Sequence, residues 1–292
     1  MNQAELVVEN ERLPIHREIG GERVLKPRKG LGFIDLNELW RYRELFFFLA
    51  WRDVLVRYKQ TYLGIAWAIL QPFLTMVVFT VIFGKLGKFP SNGAPYPLVA
   101  FAALLPWQLF SNALTESSNS LVASANMISK IYFPRLIIPA SAVISGIVDF
   151  ACSIVILFFL MLYYRTAFTI ELLLLPLFLL HATLSAFAVG VWLSALNVKY
   201  RDIKYVVPFL TRVGIYISPV AFLSNIVPER WRLLYDLNPM VCVIDGFRWC
   251  ILGDAFRPNW QEFGVSTGAV LFLLISGMVY FRSTEKTFAD VI

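Results

Sequence analysis

Six apolar runs restrict this chain more than any other feature: about 63–84, 97–115, 136–162, 171–196, 205–223 and 263–281. Each is close to the ~20 residues that a ~30 Å hydrocarbon core requires. Lipid offers no partner to a backbone amide, so every N–H and C=O in such a run must bond within its own segment, and the runs are predicted to be helices. Composition points the same way. Hydrophobic residues make up 58% and charged residues 16%, against roughly 45–50% and 25% in soluble domains. A length of 292 residues leaves room for one membrane domain with modest loops and no large additional domain. The chain is predicted to be an all-α integral membrane protein of six transmembrane helices.

The remaining segments are not ordinary loops. Residues 1–35 carry mixed charge, Pro14, Pro27, Gly20-Gly21 and the basic run Lys26, Arg28, Lys29, and predict a poorly ordered tail. The first apolar run begins well beyond this tail, so no cleavable signal is expected. Asp35 and Glu38 have the spacing of a helix start. From there to residue 60, Leu39, Trp40, Phe46, Phe47, Ala50, Trp51, Val54, Leu55 and Tyr58 recur at helical spacing, opposite Arg41, Glu44, Arg52, Asp53, Arg57 and Lys59. That pattern predicts an amphipathic interface helix over 36–60, followed by a transmembrane domain over 61–292. Between the fifth and sixth runs, 224–262 is apolar only in patches too short to span, is broken by Pro239 and is closed by Gly253-Asp254. Two short re-entrant periplasmic helices match this pattern.

Charge sets orientation rather than a nucleic-acid partner. The net charge is +6, and the basic residues gather near run ends. Lys130, Arg135, Lys199, Arg201, Lys204, Arg282 and Lys286 fall on one side, with the N-terminal region. Lys85, Lys88, Arg165, Arg230, Arg232, Arg248 and Arg257 fall on the other. The bias favours both termini in the cytoplasm.

No catalytic constellation can be assembled. His16 is in the tail and His181 stands alone in the fourth run. The three cysteines (Cys152, Cys242, Cys250) are scattered and read as small apolar residues. The phosphate-cradling pattern G-x-x-x-x-G-K-S/T is missing, because Gly84-Lys85 and Gly87-Lys88 are followed by leucine and phenylalanine. Chemical energy would have to come from another subunit. Asp149 and Arg212 are ionisable residues within runs, which costs at least ~2.5 kcal/mol each at mid-bilayer, and a structural ion pair or interhelical contact is expected. Trp67, Phe73, Phe79 and Phe83, then Phe101, Trp107 and Phe110, then Tyr216 and Phe222 would suit a channel for sugar rings, whose C–H faces pack on aromatic planes. Membrane proteins also carry aromatic belts for interfacial reasons. The Ser- and Asn-rich stretch 116–134 predicts a short surface helix docking into a cytoplasmic partner.

Several motifs occur in order along the chain: Arg57-Tyr-Lys-Gln-Thr-Tyr-Leu-Gly-Ile-Ala-Trp67 with Leu70-Gln-Pro72, Leu105-Pro-Trp107 with Phe110-Ser-Asn112, Ile131-Tyr-Phe-Pro-Arg135, Leu196-Asn-Val-Lys-Tyr-Arg-Asp202, Ser218-Pro219 and Leu237-Asn-Pro239. On these the chain resembles the permease subunits of bacterial ABC type-2 polysaccharide exporters, which move O-antigen, capsule or teichoic acid glycans across the inner membrane. The resemblance implies a homodimer around a channel, with two separate ATPase subunits that hold the ATP and Mg and no cofactor in this chain. It implies ATPase coupling through about 117–133 and 197–202, drawing on Asn119, Asn126, Lys130, Tyr132, Arg135, Arg201 and Asp202. The substrate would be a glycan on a polyprenyl diphosphate, for which Arg52, Arg57 and Lys59 are the candidate contacts. Trp67, Phe73, Trp107, Phe110 and Tyr216 are the candidate channel aromatics. An ABC exporter of lipid or drug, and a membrane-bound glycan-processing enzyme, are the competing readings.

Overall fold

The computed structural model describes residues 36–59 and 64–288. The expected tail 1–35 and Asp35 lie outside them. Every regular element among the described residues is helical. In chain order these are α1 (Leu36–Arg41), α2 (Arg43–Tyr58), α3 (Gly64–Phe79, continued by a π-helical turn over Thr80–Leu86), α4 (Tyr96–Ala123), α5 (Ala125–Ile128) and α6 (Ile137–Tyr163). Then follow α7 (Leu175–Lys199), α8 (Ile203–Ile217), α9 (Glu229–Asp236), α10 (Pro239–Leu252) and α11 (Trp260–Glu285).

Among the described residues, five helical segments are long and apolar enough to cross a membrane: Ile69–Leu86, Tyr96–Ala123, Ile137–Tyr163, Ile170–Lys199 and Trp260–Glu285. The fifth apolar run of the sequence behaves differently. Its helix α8 has 15 residues, a rise of only ~22 Å. The chain then leaves helical geometry at Ser218, whose ψ is 154°, because the residue before Pro219 is driven out of the α region. Ser218, Pro219, Val220 and Ala221 are nevertheless buried.

Helix α4 is the centre of the bundle. Leu98 to Trp107 are buried without interruption, the signature of a helix covered on all sides. It packs on α6, α7, α10, α3 and α8. At its C-terminal end the expected surface helix is mostly a continuation of the span. Ser118 and Ser120 donate their hydroxyls to the carbonyls of Thr115 and Ser117. Serines bonded in this way stay helical without exposed polar groups, and Ser117 lies against Gly190 of α7, where a Cβ would collide with it. Small residues bring the two backbones close. Only the one-turn α5 and an extended loop then lead to α6.

The segment between α8 and α11 does form two short helices. Asn238 caps α10, accepting a hydrogen bond from the Met240 amide at 3.1 Å, with Pro239 at the first position. Gly253 ends it at φ 85°, a conformation that glycine adopts without cost. Residues Pro239 to Ile251 are all buried, and α10 packs on α4, α7 and α11. Gly246 permits this insertion, since its bare Cα lies directly under the Phe178 ring of α7.

Candidate functional site

Three groups of side chains give the bundle its polar features. The first joins α2 to the bundle. Arg57, at the end of α2, donates through Nη1 to Asp149 of α6 and through Nη2 to Glu116 of α4 at 3.0 Å. The Tyr58 hydroxyl donates to the other Asp149 oxygen. Burial, followed by the Asp149 hydrogen bond and charge, raises the Tyr58 phenol far above its ordinary value, so it remains a neutral donor. Asp149 lies twelve residues past Ile137, the first residue of α6, ~18 Å along the helix. The sequence left Asp149 and Arg212 as two intramembrane charges; the partner of Asp149 is Arg57 instead. Arg212 is exposed on α8, and no acidic partner stands beside it among the described residues.

The three candidate carrier contacts do not converge. Positions 52 and 59 are seven apart on a helix and share a face, whereas 57 points well away from both. Arg52 instead pairs with its neighbour Asp53 at 2.8 Å, and Lys59 is exposed.

A second polar group gathers where α4, α6, α7 and α11 end together. Asn197 of α7 donates to the Ser118 carbonyl at 2.9 Å and to Asn119 Oδ1 at 3.1 Å, fixing α7 to α4. Arg135 donates to the Glu285 carbonyl, and its guanidinium lies over the Phe288 ring. Below them Leu49, Leu121, Ile128, Phe133, Ile137 and Phe281 share an apolar cluster. Asn126, Lys130, Tyr132, Arg201 and Asp202 are exposed around it, while Asn119 and Arg135 are half-buried. The structure thus brings the candidate coupling residues to one end of the bundle.

A third group, which the sequence did not single out, secures the non-helical Ser218–Leu223 stretch. Arg248 of α10, only 1% exposed, donates to the carbonyls of Val220 (3.1 Å) and Phe222 (3.0 Å) and reaches Val99 O at 3.4 Å. Asp245, one turn earlier, stands 3.5 Å away. Tyr96 donates to Ala221 O at 2.7 Å, Tyr235 to Ile217 O at 3.0 Å, and Asn238 to Ser218 Oγ at 3.0 Å. These side chains replace the helical bonds that Pro219 removed, which is the condition for irregular backbone inside a membrane bundle. The signal in the sequence was an Asp and an Arg three apart in an otherwise apolar 14-residue run.

Beside it, Arg232 holds Glu262 at 2.6 Å. The Asp236 carboxyl is pushed up to about 6 by its burial, then by the Glu262 and Asp245 carboxylates, against the opposing effect of Arg232. An acid raised in the folded state is favoured there in its protonated form. Its penalty is therefore absent below about pH 4 and present above about pH 6. Asp236→Asn is expected to stabilise the protein by about 1–2 kcal/mol at pH 8 and by nothing measurable at pH 4. Thermal unfolding in detergent across this range checks it, and an equal gain at both pH values would refute it.

The candidate aromatics separate into two environments. Trp107 is enclosed, its ring against Gly214 of α8 and tilted onto Phe110, with centroids 5.7 Å apart. Phe110 is half-buried. Trp67 (57% exposed), Phe73 and Tyr216 (64%) are on the outer surface of the bundle. Tyr216 shares the outward face of α8 with exposed Tyr205, Phe209 and Arg212.

Comparison with known proteins places this arrangement. The sequence pattern of the ABC-2 type transporter membrane family matches residues 44–252. The chain belongs to the ABC-2 type transporter family. This ABC-2 protein is also similar, at 28% identity over 259 residues, to the O-antigen export system permease protein RfbA of Myxococcus xanthus, covering 88% of this chain and 98% of that one. The protein of the same name from Klebsiella pneumoniae is 28% identical over 242 residues, 82% of this chain and 92% of its own length. The polysialic acid transport protein KpsM of Escherichia coli is 21% identical over 243 residues, 80% of this chain and 91% of its own. An ABC-2 membrane component is a transport subunit, and this one is a multi-pass membrane protein.

Proposed function

We propose that this chain is the membrane subunit of an ATP-driven exporter of lipid-linked polysaccharide. The observation that carries this reading is the near full-length similarity to permeases named for O-antigen export and polysialic acid transport. The bundle is compatible with it, because its long apolar helices end in an exposed polar face formed by Asn126, Lys130, Tyr132, Arg201 and Asp202.

The finer mechanism follows the same reading. Two copies of the chain enclose the channel, and two ATPase subunits, with ATP and Mg, dock on that polar face from the cytoplasm. Both termini are cytoplasmic and the membrane is the bacterial inner membrane. α8 together with its buried extension to Leu223 serves as a sixth span, and α9 and α10 are the re-entrant pair. The exposed aromatics Trp40 of α1 and Phe47, Phe48 and Trp51 of α2 lie at the membrane interface. Of the candidate cations, Arg57 meets the carrier diphosphate, while Arg52 and Lys59 face away from it, and the glycan slides along the aromatics Trp67, Phe73 and Tyr216 without being gripped. Closure of the ATPase pair rocks the attached helices as rigid bodies.

The decisive experiment is reconstitution of the chain with its ABC ATPase in vesicles loaded with polyprenyl-diphosphate-linked glycan. ATP-dependent appearance of glycan on the opposite leaflet is expected. Transport of lipid or drug without a glycan requirement would replace this reading.

A further inference from the structure

Arg57 is held by two carboxylates that are unequal. Asp149 has 18% of its side chain exposed and takes a second donor, Tyr58. Glu116 has 54% exposed and meets Arg57 Nη2 through a single 3.0 Å contact. An exposed pair of that kind contributes ~0.2–1 kcal/mol, so the Glu116 arm opens easily while the Asp149 arm stays. An anion arriving at the outer edge of the guanidinium therefore repels Glu116 and offers Arg57 a stronger, charge-assisted partner.

The location gives this exchange a consequence. Glu116 is seven residues, ~10 Å, from the end of α4 at Ala123, where the chain turns into α5 and the exposed 129–132 loop. One turn beyond Glu116, Asn119 is tied to Asn197 of α7. Releasing Glu116 removes the polar tie between α4 and α2, while the Asn119–Asn197 bond keeps α4 on α7.

We propose that Glu116 is an internal stand-in for an anionic diphosphate headgroup: it occupies Arg57 in the unloaded protein, and the headgroup displaces it. Displacement breaks the Arg57–Glu116 tie between α2 and the helix that runs to the ATPase-facing end, so headgroup occupancy is communicated there. This inference rests on the reading of the substrate as diphosphate-linked. Binding to Arg57 and opening of the α2–α4 contact are then one linked equilibrium, and removing the competitor must tighten ligand binding.

The test uses the full chain with its ATPase in lipid nanodiscs, wild type beside Glu116→Gln and Glu116→Ser. The probes are undecaprenyl diphosphate in phosphatidylcholine discs, inorganic pyrophosphate with the same discs, and phosphatidylglycerol discs alone. Both variants are expected to bind undecaprenyl diphosphate about two- to five-fold more tightly than wild type and to hydrolyse ATP faster without carrier. Pyrophosphate showing the same gain supports the diphosphate group itself as the ligand. A gain restricted to undecaprenyl diphosphate supports the lipid headgroup as its source. Equal or weaker binding in both variants overturns the proposal, as does the same gain in phosphatidylglycerol discs. Wild-type glycan export separates the two claims: its absence defeats the functional reading, whereas intact export with unchanged variant affinity defeats this inference alone.

Discussion

Replacing Arg248 by methionine is expected to destabilise the protein by about 3–5 kcal/mol, with a correspondingly large fall in thermal midpoint in detergent. The side chain is 1% exposed and sits among the carbonyls of Val220 and Phe222 and the Asp245 carboxylate. Methionine fills similar space but leaves those acceptors without a donor, and each buried acceptor stranded in this way costs ~1–3 kcal/mol. Lysine retains the charge but not the planar fork that reaches separate carbonyls, so Arg248→Lys should recover only part of the loss. Adding Asp245→Asn to Arg248→Met should restore some stability, because the stranded charge is gone. A change below about 1 kcal/mol in the single variant would show that the Ser218–Leu223 stretch does not depend on this arginine.

Changing Ile131 to aspartate together with Tyr132 to alanine is expected to weaken capture of the ATPase by ten- to a hundred-fold and to abolish export, with little effect on folding. Both side chains project from the loop after α5, at 60% and 64% exposed. An aromatic anchor in an interface is commonly worth 2 kcal/mol or more. Phe133 next to them is 4% exposed and sits in the apolar cluster with Leu49 and Ile128. Phe133→Ala should therefore show the opposite pattern, a loss of stability of about 3 kcal/mol with ATPase binding retained in the protein that remains folded. Pull-down with the ATPase and a thermal scan distinguish the two. Normal capture by the Ile131/Tyr132 variant would move the docking surface elsewhere.

Much of the fold was legible wherever the information is local. Hydrophobic run length announced the long helices, and Pro239 and Gly253 marked the ends of α10 at the residues where it starts and stops. The fifth run, 205–223, reads as one helix, but it ends at Ile217 before Ser218-Pro219 with the chain beyond still buried. The Ser-rich stretch after residue 115 reads as a separate surface helix, whereas its first eight residues continue α4 to Ala123. The hydroxyls of Ser118 and Ser120 bond back to the helix, and the small side chain of Ser117 allows Gly190 to approach. The candidate coupling residues were recognisable through motif order, and the bundle does gather them at one end.

The pairings were not legible. Arg57 and Asp149 are 92 positions apart, and no periodicity connects them. Arg212, the other charge within an apolar run, was an equally good partner on sequence grounds and faces outward instead. Arg52, Arg57 and Lys59 look like one basic cluster when written in a line, yet helical rotation sends Arg57 inward and the other two away.

The sequence by itself determined that this chain is a multi-helix membrane protein, because the burial of amides in lipid depends only on segment length and apolarity. Local caps and breakers also decided where its short helices begin and end. Only the tertiary structure decided which charges neutralise one another and which side chains replace the bonds lost at Pro219. Those choices depend on which helix faces approach within about 3 Å, and that is fixed by packing of the whole bundle rather than by any one segment.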